Sequence, residues 1–166
     1  MPEKKAIQRA HQDKRKGKGA STQAGEFVRE EIHKIRRGEH GARSTKQAIA
    51  IGLSEARRAG VALPPPAPGK TSARTRKSAQ RAWEVGQGKR APRSPSAKRS
   101  RAIKQALKRE GHRAASRAAL SKQARAAARR RTAAQRSAAA RQAARTKGPA
   151  GRSAAARKAA RTRAAA

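Results

Sequence analysis

The chain has 166 residues, with 45 lysines and arginines against nine aspartates and glutamates and a formal net charge of +36. It contains no cysteine, which excludes disulfides and thiolate metal sites. Only 14 residues are valine, isoleucine, leucine or phenylalanine, too few for a large core in so charged a chain. We therefore expect one small folded unit with basic segments, in a cytoplasmic protein with no membrane span.

The N-terminal third carries the clearest helical signals. Residues 1–20 are predicted to form a basic N-terminal helix or arm, helical over 3–16. Residues 21–63 are predicted to form the head, a hairpin of helices over 22–37 and 44–59, because apolar residues recur there at helical spacing. Six residues separate these helices, more than the usual turn of a helix-turn-helix. A DNA-reading head is therefore not expected.

Ile51 lies away from the core face of the second head helix. Ser44 followed by Gln47 is a capping-box pattern, which favours helix there, whereas Ala48-Ile49-Ala50-Ile51 alternates like a strand. In a helix, Ile51 is exposed, or it meets the following prolines or a partner. The segment 22–60 is therefore a candidate for homodimerisation or for binding a protein partner.

Proline-rich linkers divide the rest of the chain. Residues 64–70 are predicted to be a stiff extended linker, followed by a short helix over 71–86 and a second linker over 87–96. Trp83 of the short helix packs within it or against the prolines, or else stacks on a nucleic-acid base. Residues 97–166 are predicted to be an alanine- and arginine-rich basic tail.

The tail from residue 111 to residue 166 contains no acidic residue, and it holds 16 lysines and arginines and 24 alanines. Such a segment buries little apolar surface, so we expect it to be largely disordered, or helical only on binding. Within it, residues 136–147 recur as residues 152–163 with ten of twelve positions identical. The repeat indicates two equivalent binding cassettes joined by a hinge.

The chemistry of the tail favours nucleic acid. Arginines four residues apart share a helix face, and phosphates convert their mutual repulsion into attraction with release of counterions. A membrane-active helix would carry large apolar residues where this tail has alanine, and nothing indicates base-specific reading. The predicted nucleic-acid-binding residues are Arg113, Arg117, Arg125, Arg129, Arg130, Arg131, Arg136, Arg141, Arg145, Arg152, Arg157, Lys158, Arg161 and Arg163.

The sequence contains no pattern typical of a catalytic or a metal-binding site. The four histidines have no carboxylate or cysteine at a recognised ligand spacing. Glu30 and Glu31 are adjacent, so they point about 100° apart on a helix. Phosphate-binding glycine loops and nucleophile motifs do not occur. We therefore expect a protein that is not an enzyme and needs no cofactor.

One run, Lys46-Gln-Ala-Ile-Ala-Ile-Gly-Leu-Ser-Glu-Ala-Arg57, preceded by Glu26-Phe-Val-Arg-Glu-Glu-Ile32, resembles a segment shared by a family of small, basic, uncharacterised bacterial proteins. The likeness covers residues 22–63 and implies neither an activity nor catalytic residues. Separately, the tail is similar in composition to the linker-histone-type tails of bacterial nucleoid proteins, although it favours arginine over lysine.

These features predict a mainly α protein, with a small two-helix hairpin head and largely disordered or conditionally helical basic arms. The expected function is non-specific nucleic-acid binding, in the form of DNA binding and compaction in a bacterial nucleoid through phosphate neutralisation. Two alternatives stay open. One is association with RNA or ribosomes, because phosphates alone do not distinguish RNA from DNA. The other is an adaptor whose head binds another protein.

Overall fold

The computed structural model describes residues 3–94 and 96–165, so Met1, Pro2, Pro95 and Ala166 lie outside the described residues. Within these ranges the chain has seven α-helices, one short 3₁₀ turn and no strand. The helices are α1 (Lys4–Arg15), α2 (Ala20–Arg36), α3 (Thr45–Arg58), α4 (Ala73–Gly86), α5 (Ala97–Arg109), α6 (Arg117–Arg129) and α7 (Ala133–Ala164), and the 3₁₀ turn is Arg113–Ala115.

The predicted fold class is wrong for the basic segments on either side of the two-helix head. The chain is helical, as expected, but it is not a two-helix hairpin with disordered arms, because five further helices flank α2 and α3. The description as intrinsically disordered is therefore also wrong. The prediction counted buried apolar surface and gave too little weight to local propensity. Alanine and arginine, the main residues of α6 and α7, are strong helix formers.

The chain forms two compact units, Met1–Gln123 and Ala124–Ala166. In the first unit α2 packs against α1 and α3, and α3 also packs against α4. One core cluster consists of Ala6, Ala10, Ala24, Phe27, Ala56 and Val61. A second core cluster consists of Ile32, Ile35, Ala42, Ala48 and Ala115. Within the described residues, no helix is long and apolar enough to cross a membrane.

Residues 97–123 of the predicted tail belong to the first unit. Ala115 is buried in the second core cluster, and Leu120 packs partly against it. Arg36 Nε donates a hydrogen bond of 2.9 Å to the carbonyl of Ala115, and Thr45 Oγ1 donates one of 2.7 Å to the carbonyl of Ala114. The 3₁₀ turn is thus held between α2 and α3. The acid-free segment is therefore not one uniform arm.

Glycine allows α2 and α3 to approach closely. Gly52 of α3 is buried against the backbone of α2, and a Cβ atom added to it would lie 2.6 Å from the Cα of Val28. Alanine and glycine at a helix contact compensate for the scarcity of large apolar residues, because close backbones gain dispersion contacts that bulky side chains would otherwise provide.

Replacing Gly52 with alanine should therefore destabilise the first unit. The added methyl group meets backbone atoms that cannot move independently, and overpacking of this kind costs about 1–3 kcal/mol. Gly25→Ala is the matched control, because Gly25 lies inside α2 with open space around its Cα. That control should stabilise the protein by about 0.5–1 kcal/mol. Urea unfolding followed by circular dichroism measures both, and equal effects would contradict the close approach.

Glu31 is buried without full compensation. The residue is 1% exposed, and its Oε1 has no hydrogen-bond partner within the described residues. His40 Nε2 lies 3.6 Å from Glu31 Oε1. Burial raises the pKa of Glu31 above its ordinary value of 4.5, although the positive charge of His40 opposes the shift; Glu55 adds to it, and Lys34 opposes it.

The raised pKa of Glu31 predicts a pH-dependent stability. The folded protein holds the Glu31 proton more tightly than the unfolded chain does, so stability from this group is present below pH 4.5 and is lost as the pH rises through the folded-state value. Glu31→Gln cannot ionise. Its melting temperature, relative to wild type, should therefore increase as the pH rises from acid to neutral in thermal circular-dichroism scans. A difference that is constant or shrinks with rising pH would contradict this interpretation.

Candidate nucleic-acid interface

The fourteen basic residues predicted to bind nucleic acid are all exposed. Arg113 lies in the 3₁₀ turn and Arg117 at the start of α6, both in the first unit, while the other twelve lie in the second unit. Arg130 and Arg131 join α6 to α7. The structure therefore displays these side chains along successive helices and does not gather them into one pocket.

Acidic residues are confined to the first unit. All nine lie before residue 111, and there they neutralise neighbouring cations: Lys18 Nζ lies 2.7 Å from Asp13 Oδ1, and an Arg37 amino group lies 3.2 Å from Glu30 Oε1. The second unit contains 13 lysines and arginines and no carboxylate side chain. Its positive charge is therefore uncompensated within the unit and available to an external anion.

A backbone break divides α7 into two helical segments. Gly148 has φ 66° and ψ 175°, and Pro149 follows it. A positive φ suits glycine at the end of a helix, and proline suits the first turn of the next one. The break falls between residues 136–147 and residues 152–163, so each copy of the sequence repeat lies on its own helical segment.

The two copies also repeat their local hydrogen bonds. Thr146 Oγ1 donates to the carbonyl of Gln142 at 2.9 Å, and its counterpart Thr162 donates to the carbonyl of Lys158 at 3.0 Å. The first arginine of each copy, Arg136 or Arg152, donates to a carbonyl at or just before the start of its own segment, Arg131 or Gly148. The sequence repeat is therefore a structural repeat.

The arginines four residues apart remain available for anions. Arg141 and Arg145, and their counterparts Arg157 and Arg161, are exposed and share a face in each segment. They form neither an ion pair nor a side-chain hydrogen bond with any of the described residues. Each pair therefore presents two free guanidinium groups about one helical turn apart.

Helix α7 begins at a capping box that the sequence reasoning missed. Thr132 Oγ1 accepts a hydrogen bond of 3.2 Å from the backbone N–H of Gln135, and Gln135 Oε1 accepts one of 3.1 Å from the N–H of Thr132. The signal was present as Thr-Ala-Ala-Gln, the pattern already recognised at Ser44. Since α7 has no buried residue, this cap and the alanines fix where the helix starts.

Basic residues of the first unit were also missed as candidates. Helix α5 carries six exposed lysines and arginines that form no ion pair within the described residues, namely Lys98, Arg99, Arg101, Lys104, Lys108 and Arg109. Trp83, considered as a base-stacking residue, is half-buried, and Lys89 Nζ lies 4.8 Å from its ring centroid. That ring therefore already has a cationic partner in the protein.

Comparison with known proteins finds a match to a family model over less than half of the chain. A model described as a family of unknown function (DUF6496) matches residues 15–66. This range contains α2, α3 and most of the first core cluster. No curated protein and no solved structure matches the chain. The likeness to an uncharacterised family is thus supported for the packed head segment, and it brings no activity with it.

Proposed function

We propose that this protein binds nucleic acid without sequence specificity, through the exposed cations of residues 113–163. One observation carries the proposal: a helical unit with 13 lysines and arginines contains no carboxylate side chain. Like charges at this density oppose the helix in water, and phosphates relieve that repulsion while releasing condensed counterions. Arginine suits the role because its planar guanidinium can bind a phosphate through two hydrogen bonds.

Duplex DNA is the polyanion that we propose. Except for Arg130 and Arg131, the cations of the second unit lie on helices, and the major groove of DNA admits a helix. The corresponding groove of A-form RNA is deep and narrow. Alanine adds to this argument, because its small side chain lets a helix backbone approach the phosphates closely. The arginines have no packed partners to fix them at base edges, so the binding is to backbone phosphates.

The two repeats, residues 136–147 and 152–163, are separated by the backbone break at Gly148. This arrangement offers a way for DNA binding to lead to DNA compaction. Each segment of α7 carries its own pair of free arginines, so the two segments can neutralise phosphates at separate places on one duplex or on two. This action fits a cytoplasmic protein that compacts or protects DNA in a bacterial nucleoid. A homodimer formed through residues 22–60 would add to such bridging.

Removing the four paired arginines should weaken the salt dependence of DNA binding. Each phosphate contact contributes about 0.9 to the slope of log affinity against log salt, so four lost contacts should reduce that slope by about 3.6. Glutamine keeps the helix propensity. The variant is R141Q/R145Q/R157Q/R161Q, and the control with equal charge loss from the first unit is K4Q/K5Q/K14Q/K16Q.

Fluorescence anisotropy with a labelled duplex, measured between about 50 and 200 mM salt, gives both slopes. The control variant should keep nearly the wild-type slope, because its lysines lie on or next to α1. Equal loss in both variants would mean that only net charge matters. An unchanged slope in the arginine variant would contradict an interface on α7.

Competition between duplex DNA and structured RNA of equal length tests the choice of polyanion. We expect DNA to displace the labelled duplex at a lower concentration than RNA does, because of the groove geometry given above. Equal or stronger competition by RNA would overturn the choice of DNA, but it would agree with the broader proposal that the protein binds nucleic acid. Weak binding of both at physiological salt would contradict the whole proposal and favour an adaptor whose head binds another protein.

A further inference from the structure

A pocket of about 240 Å³ in the first unit is lined by four arginines. Arg58 comes from the last turn of α3, Arg81 from α4, and Arg90 and Arg93 from the segment that follows α4. Apolar walls from α4 and from Pro92 complete it. None of these residues was among those predicted from the sequence to bind nucleic acid, and none lies in the second unit.

Close packing of α3 on α4 places the arginines around this pocket. Gly86 lies against the carbonyl of Arg57, where a Cβ atom would collide with the oxygen, and Gly60 lies against the carbonyl of Gly86. Gln87 Nε2 donates a hydrogen bond of 3.2 Å to the carbonyl of Gly60. These contacts hold the C-terminal end of α3 against that of α4. The backbone around Arg58 and at the start of the segment that carries Arg90 and Arg93 is therefore positioned by helix packing, unlike that of α7.

Among the four arginines of the pocket, Arg90 forms an ion pair within the described residues. Glu84 pairs with Arg90, whose amino group lies 3.2 Å from Glu84 Oε2. The pKa of Glu84 is lowered by a hydrogen bond from Gln80, then by Arg90, with a further contribution from the charge of Arg81. Two arginines of the pocket thus act on this one carboxylate.

The remaining arginines of the pocket have no anionic partner within the described residues. Arg58 donates a hydrogen bond of 2.8 Å to the neutral hydroxyl of Ser54. Arg81 and Arg93 are exposed and form no ion pair with a described residue. A concave surface lined by four arginines, with a single neighbouring carboxylate, is complementary to an anion with several oxygen acceptors.

We propose that this pocket binds the phosphate group of a nucleotide. Guanidinium groups on several sides can share the phosphate oxygens, the Ser78 hydroxyl in the lining can donate to one of them, and the apolar wall of Val85 and Pro92 accommodates a sugar or the face of a base. The nucleotide is either a unit of a DNA strand, in which case this inference rests on the proposed function, or a free mononucleotide.

The test is a titration of the isotope-labelled full-length chain, followed residue by residue by NMR. The two probes are adenosine monophosphate and a short DNA duplex. Binding in the pocket should move the backbone amides of residues 78–93 and of Arg58 in a saturable manner. Shifts spread evenly over all basic segments of the chain would overturn the proposal, because they would indicate only non-specific attraction to a chain of net charge +36.

Variants with equal charge loss sharpen the result. R81Q/R93Q removes two exposed arginines that line the pocket, and R15Q/R76Q removes two exposed arginines that do not. Loss of charge-assisted hydrogen bonds should raise the dissociation constant for the mononucleotide at least about tenfold in R81Q/R93Q, and less than about twofold in the control. Equal changes in both would overturn the proposal, and thermal scans should show that both variants keep the fold.

The two probes separate the sources of the phosphate. Pocket shifts with the duplex alone identify a DNA strand as the ligand, and pocket shifts with the mononucleotide alone identify a free nucleotide. The variant R141Q/R145Q/R157Q/R161Q distinguishes this inference from the proposed function. Mononucleotide binding in the pocket should persist in that variant even where DNA affinity falls, whereas absence of pocket shifts with both probes would overturn the pocket and leave the interface on α7 standing.

Discussion

Close contact between the backbones of α2 and α3 is the constraint on which the folded unit depends. Among the described residues, the largest side chains that are almost fully buried are Phe27, Ile35 and Glu31, so few large apolar groups are available to the core. Gly52 and the alanines around it allow the helices to lie close enough for many small contacts. The same device recurs at Gly86, where α4 meets the end of α3. The stability of the first unit therefore depends on glycine at positions 52 and 86, where a side chain would collide with a neighbouring backbone.

The balance of acidic and basic residues differs between the two units. The first unit holds all nine acidic residues, and pairs such as Arg9 with Glu30 at 3.7 Å and Lys34 with Glu3 at 3.7 Å join α1 to α2. Single pairs of this kind contribute at most about 1 kcal/mol, but together they lower the repulsion within a basic unit. The second unit contains no carboxylate side chain to compensate its cations, which is the reason that we propose an external anion as its partner.

Local signals in the sequence located the two helices of the head. Composition, by contrast, led to the wrong prediction that the arms are disordered. The helices predicted over 22–37 and 44–59 run from Ala20 to Arg36 and from Thr45 to Arg58, because caps such as Ser44 act through neighbouring residues. The docking of the 3₁₀ turn against α2 and α3 could not be predicted from the sequence. It depends on the backbone carbonyls of Ala114 and Ala115, and a backbone carbonyl is present in every residue and leaves no signal in the sequence. Ile51, expected to be exposed or to meet the prolines or a partner, is half-buried beside Glu31 and His40.

Arginine therefore serves in two different physical settings in this chain. On α7, arginine stands on an alanine-rich helix without a buried residue, so the phosphate contacts that we propose there are expected to be independent of sequence. Around the pocket, by contrast, the packing of α3 on α4 fixes the backbone positions from which Arg58 and Arg81 extend. Only a preorganised arrangement can distinguish one anion geometry from another. We therefore expect any selectivity among phosphate-bearing ligands to originate in the first unit, although the net positive charge per residue is higher in the second.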